Sequence, residues 1–172
     1  IFPGVSLEGR TLWLLRSSPM SMADLLWSKF WVGTTPLLVL AVAIVGVTDY
    51  LLAVAPFMFA VSVLTIIAMT FAVSGLAVGF GTMFPQFETE NAAQIPTSFG
   101  GLLFMMSAIA VIGVVVILEA RPVYSYLRFQ TFGEQFDSLE MGIGFGLAAL
   151  LCGVATVVPI RIARTRLENV ER

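Results

Sequence analysis

Glu88, Glu90 and Asn91, behind the run Phe84-Pro85-Gln86-Phe87, come nearest in this chain to an acid–base or metal-binding constellation. Two carboxylates share a proton or a cation only when they face one point, and residues two apart on a helix do not. The chain has no histidine, and its one cysteine, Cys152, stands in an apolar run where it reads as a small packing residue rather than a nucleophile or half of a disulfide. No catalytic residue and no metal ligand is therefore assigned. Glu88, Glu90 and Asn91 read instead as an acidic cap at a helix N-terminus, a second cytoplasmic contact for basic residues of a partner. Gly142-Ile143-Gly144-Phe145-Gly146 has glycines spaced as in a nucleotide loop, but such a loop follows a strand and opens a helix, and this one lies within an apolar run. No phosphate-binding loop is read from the sequence.

The elements that would position these residues are those of a membrane protein. Apolar residues make up 58% of the chain and charged residues 12%, with mean hydropathy +0.96, well beyond ordinary soluble composition. A helix rising ~1.5 Å per residue needs ~20 apolar residues to cross ~30 Å of hydrocarbon, and uncharged runs of that length recur. They are continuous rather than alternating, which favours helices over barrel strands. The fold class expected is all-α integral membrane, with a transmembrane domain over 31–160 holding four spans at about 31–48, 56–83, 99–118 and 140–160. Pro56 suits a first helical turn, Pro85 follows the second span, and Glu119, Arg121 and Pro122 are expected to stop the third. The segment 119–138 becomes an outer loop, with Tyr124, Tyr126, Phe129, Phe132 and Phe136 either anchored at the interface or forming a lid.

Arg10, Arg16 and Lys29 precede the first span, Arg161, Arg164, Arg166 and Arg172 follow the fourth, and Arg121 and Arg128 lie between the third and fourth. Basic residues collect on the cytoplasmic side, so both ends of the chain are expected there, in a cell or inner membrane, with 161–172 a basic tail. The chain begins at Ile1 without a charged-then-apolar leader, so no signal peptide is expected and it reads as the later part of a longer chain.

Residues 1–30 form a polar cytoplasmic segment. Ser6 can cap a helix from Leu7 to about Ser17, with Leu7, Thr11, Leu12, Leu14 and Leu15 on one side and Arg10, Trp13 and Arg16, three apart, on the other. That second face suits a partner protein, where Trp and Arg are common anchors, and equally the lipid headgroups. Pro19 breaks this helix, Ser21 caps the next, and Met22–Phe30 leads into the first span.

The order Glu8, Gly9, Leu12, Leu15, Pro19, Ser21, Leu25, Leu26, Lys29 resembles the cytoplasmic coupling segment of type-2 ABC transporter permeases. Gly79-Phe80-Gly81-Thr82-Met83-Phe84-Pro85-Gln86-Phe87-Glu88 with Glu90-Asn91 is similar to a span-closing segment of one poorly characterised bacterial and archaeal subgroup. The resemblance runs from about Ser6 to Gln94. It implies the last four spans of a six-span unit, a helix in 1–30 that couples motion into the membrane, and contact of Glu8, Gly9, Arg10, Trp13, Arg16 and Pro19 with a cytoplasmic ABC ATPase subunit. It further implies a homo- or heterodimer of permease units in membrane lipid, without nucleic acid. On this expectation the chain is a permease subunit of an ATP-driven exporter, is not itself an enzyme, and has no cofactor because ATP is bound by the partner subunit.

Gly75 with Gly79, and Gly142 with Gly146, are small residues four apart and are read as sites of close helix packing. No charge is expected at mid-depth in any span, so energy for transport must come from outside the membrane. Two rivals stand beside the permease: a non-transport membrane scaffold docking a cytoplasmic partner, and an intramembrane enzyme using Glu88 or Glu90.

Overall fold

A computed structural model describes residues 22–84, 98–132 and 138–170, and all the regular structure among them is helical. Four helices follow one another: α1 (Met22–Leu51), α2 (Pro56–Met83), α3 (Phe99–Phe132) and α4 (Ser138–Val170). Each is long and apolar enough to cross a membrane. They are apolar on every side, and Val32, Leu40, Ile44, Leu64, Met106, Ile109, Ile117 and Leu150 all point outward with more than half their surface exposed. Lipid tails accommodate such a surface, whereas water would not.

Local chemistry suits that surrounding. Each backbone group within a lipid-embedded helix is bonded inside the helix, and hydroxyls must find acceptors nearby. Thr35 donates to the Trp31 carbonyl (2.7 Å), Thr48 to Ile44 (2.7 Å), Ser62 to Met58 (2.8 Å), Thr70 to Ile66 (2.7 Å) and Thr156 to Cys152 (2.7 Å). The α1–α2 turn closes through Leu52 N–H to Thr48 O (3.0 Å) and Val54 N–H to Asp49 O (3.1 Å), with Ala53 in the left-handed region at φ 50°. Pro56, which has no N–H to leave unpaired, then starts α2.

α2 is the central helix: a third (33%) of its apolar window is buried, against 11% for α1, and it packs on each of the other three. Its main partner is α4. A Cβ added to Gly75 would stand 2.7 Å from the Thr156 Cα, and one added to Gly79 would collide with the Pro159 ring and lie 2.9 Å from its carbonyl carbon. Contacts of 75 with 156 and of 79 with 159 also show that α2 and α4 run parallel, with α3 antiparallel beside them. Around this seam Ala72, Val115, Ala148, Cys152 and Ala155 form the main buried cluster. At one end, Phe30 stacks on Trp27 (5.5 Å) and on Phe71 (6.1 Å) and packs against Val78 and Ile160, tying α1 to α2 and α4.

α3 departs from the sequence reading. It does not stop at Glu119, Arg121 and Pro122 but continues to Phe132, so most of the expected outer loop 119–138 is helix, about 51 Å of helix in all at ~1.5 Å per residue. Pro122 removes one backbone donor and leaves the Leu118 carbonyl without its usual partner, a loss neighbouring helices in a membrane can absorb. The neighbour is Gly144. Pro122 is fully buried, and a Cβ on Gly144 would lie 2.9 Å from its Cγ and 3.2 Å from the Leu118 oxygen. Beyond the proline, Phe57 packs on Tyr126 (4.8 Å), and the Arg128 guanidinium lies over the Tyr124 ring (5.8 Å). The two glycines expected at a helix contact in α4, Gly142 and Gly146, have nothing within 4 Å of where a Cβ would stand; the contact falls on Gly144 between them.

Substitutions at these glycines separate seam from surface. Gly79→Val forces α2 and α4 apart and is expected to destabilise the detergent-solubilised protein by about 1–3 kcal/mol, while Gly146→Val, in open space, stays close to wild type. Thermal unfolding of both variants checks this, and equal stabilities would remove the seam.

Candidate functional site

Thr65 carries a hydroxyl that departs from the local pattern by bonding between helices. Instead of bonding back into α2, its Oγ1 donates to Glu119 Oε1 on α3 at 2.8 Å. This places a carboxyl between helices, where the sequence reading expected no charge within a span. By residue count along α2, Thr65 lies about 13 Å from Pro56. A carboxyl inside lipid-embedded helices is costly and marks a functional site unless a partner compensates it.

Glu119 and Thr65 border a cleft of about 490 Å³ between α2, α3 and α4. Val61, Leu64, Ile67 and Ala68 of α2 form one wall, Val115 of α3 lies below the carboxyl, and Phe145, Ala148, Ala149 and Cys152 of α4 form the other wall. Its volume follows from small residues, since Ala68, Ala148, Ala149 and Cys152 occupy positions where larger side chains would fill it. The α2–α4 seam one to two turns further on fixes the separation of the walls, and the Gly144–Pro122 contact holds α3 against α4 so that Glu119 turns inward. Leu64 and Ala149 are exposed at the rim, so the cleft opens toward lipid. It offers a carboxyl and a hydroxyl at one point and apolar contact elsewhere.

The residues singled out in the sequence fall elsewhere. Glu8, Gly9, Arg10, Trp13, Arg16 and Pro19 lie outside the described residues, as do Glu88, Glu90 and Asn91. Gly75 and Gly79 sit in the α2–α4 seam, and Gly142 and Gly146 face open space. Gly142–Gly146 is interior to α4 and has no strand before it among the described residues, so it has none of the setting of a phosphate loop. Among the described residues no group of His, Cys, Asp and Glu is arranged to hold a metal ion. Glu119 was missed because Glu-Ala-Arg-Pro reads as a helix stop; the hint was the aromatic and aliphatic run Val123–Phe132 continuing beyond it.

A double-mutant cycle measures the Thr65–Glu119 bond. Thr65→Val, Glu119→Leu and the pair together should give a coupling energy of about 1 kcal/mol in unfolding experiments, within the range of interhelical bonds in membrane proteins. A coupling indistinguishable from zero would dissociate the two residues.

No curated protein and no solved structure matches the chain. A family model described as "Putative ATP-binding cassette" matches residues 1–172, its whole length. That match corrects the reading drawn from the coupling-segment resemblance, which made the chain a permease subunit, not an enzyme, with ATP confined to a partner. The family is that of the ATP-binding cassette, the part of such systems that binds and hydrolyses ATP, and not that of a permease. A polar helix, a proline turn and an entry into lipid constrain where a chain meets other machinery, but not which side of the ATP reaction it stands on. The chain belongs to this ATP-binding cassette family.

Proposed function

We propose that this chain is a membrane-integrated member of an ABC transport system, in which ATP binding and hydrolysis belong to the same protein as the four apolar helices. The observation that carries this reading is the family match over all 172 residues of a chain with four membrane-length helices. In it, ATP use drives a rearrangement of the bundle without a charge relay through the bilayer. No nucleotide contact is assigned to the described helices. A nucleotide can move the bundle only if its states interact differently with two arrangements of the helices. The polar segment 1–30 is the proposed route, with Arg10, Trp13 and Arg16 as its contact face and Pro19 as the break between that face and α1. Both ends of the chain are proposed to face the cytoplasm, supported by the distribution of Lys and Arg.

The protein purified from membranes, free of any second subunit, is expected to bind a fluorescent ATP analogue saturably and to hydrolyse ATP with Mg²⁺. Absence of both from the folded full-length protein would overturn the proposal. Reporters placed after Arg172 and near Arg10 should both read cytoplasmic, and one in 133–137 external; an external signal after Arg172 would reverse the orientation.

A further inference from the structure

We propose that the cleft between α2, α3 and α4 is a binding site for an amphipathic amine, whose ammonium group sits on Glu119 and whose apolar body lies along the walls. The polarity of the cleft points to that class. Its walls are aliphatic and aromatic, and its strong polar groups converge at one place, the Glu119 carboxyl and the Thr65 hydroxyl that donates to it at 2.8 Å. A single focus of polarity within an otherwise apolar cavity is how small-molecule sites fix orientation, and about 490 Å³ falls within the range that holds a drug-sized ligand.

The charge decides which head group fits. Thr65 supplies one hydrogen bond to Glu119, and a carboxylate has room for several more acceptor contacts. An ammonium brings donors together with the opposite charge, and in a low-dielectric cleft that pairing is worth far more than in water. A fatty acid of the same length would bring a second negative charge and be disfavoured. A fatty alcohol would bring a donor without charge. The open side of the cleft, between Leu64 and Ala149, faces lipid, so the ligand is one that partitions into the bilayer and enters sideways. Ordinary acyl chains of membrane lipid can contact the same walls but make no use of the carboxyl, which distinguishes the two occupants.

The test compares ligands of equal apolar length on the full-length protein in nanodiscs of zwitterionic lipid, with no nucleotide present, so that its outcome is independent of the ATP reading. Radiolabelled dodecylamine is expected to bind at least about ten-fold more tightly than dodecanol, the scale of a charge-assisted hydrogen bond. Glu119→Gln, which keeps the shape, should remove that advantage while leaving dodecanol binding unchanged. Ala149→Phe, a change at an exposed rim position, should weaken both ligands by filling the cleft. Equal binding of amine and alcohol by the wild type, or undiminished amine binding by a folded Glu119→Gln protein, would overturn the proposal and leave a groove occupied by acyl chains only. Should Glu119→Gln fail to fold, a wild-type preference for amine over alcohol with both ligands weakened in Ala149→Phe upholds the proposal, and no preference overturns it.

Discussion

The close parallel approach of α2 and α4 governs the rest of this structure. In lipid no hydrophobic force pulls helices together, because tails outside are as apolar as side chains inside; association depends on contacts that only small residues permit. Gly75 against Thr156 and Gly79 against Pro159 are such contacts. They bring the two backbones so near that neither glycine could carry a Cβ without displacement. Once the pair is set, the Ala72, Ala148, Cys152 and Ala155 surfaces meet in a buried cluster, and α3 closes on it through Val115. The cleft beside that cluster is a consequence of the same geometry: the helices are closest at the glycines, and beside the cluster the small side chains of Ala68, Ala148, Ala149 and Cys152 leave space between them.

The extended α3 adds the polar element. A proline three residues past a glutamate looks like the end of a span, and in water it would often be one. Here Gly144 accepts the proline ring and the orphaned Leu118 carbonyl, so the helix carries on and Glu119 remains among the helices, bonded to Thr65, instead of marking a boundary. One glycine on α4 thus turns a stop signal on α3 into a half-buried carboxyl between helices.

Much of the architecture is legible in the sequence for a simple reason: the hydrocarbon thickness demands long uncharged runs, and there are four. What spacing could not give is rotation about each helix axis. Gly142 and Gly146 satisfy the small-residue spacing as well as Gly75 and Gly79 do, yet α4 presents Gly144 to its neighbour, because that is set by the facing helix and not by the period. Glu119 was obscured for a related reason, since whether a proline ends a helix depends on what packs against it. Function was less legible still. The residues that suggested a permease lie in 6–30 and 79–94, more than half of them outside the described helices, and their chemistry suits a coupling surface without identifying the ATP-binding component, which the family match over the whole chain places with the cassette.

The parallel α2–α4 pair is the claim on which fold and cleft both rest, and cysteine cross-linking tests it most directly. Ala72 is fully buried in one cluster with the native Cys152, one turn before the Gly75–Thr156 contact. Ala72→Cys in membranes treated with a mild oxidant is predicted to form an intramolecular disulfide with Cys152, visible as a mobility shift that reductant reverses, while the same substitution at exposed Ile109 on α3 forms none. Failure of Ala72→Cys to cross-link, or equal cross-linking from Ile109→Cys, would contradict the arrangement of helices described above.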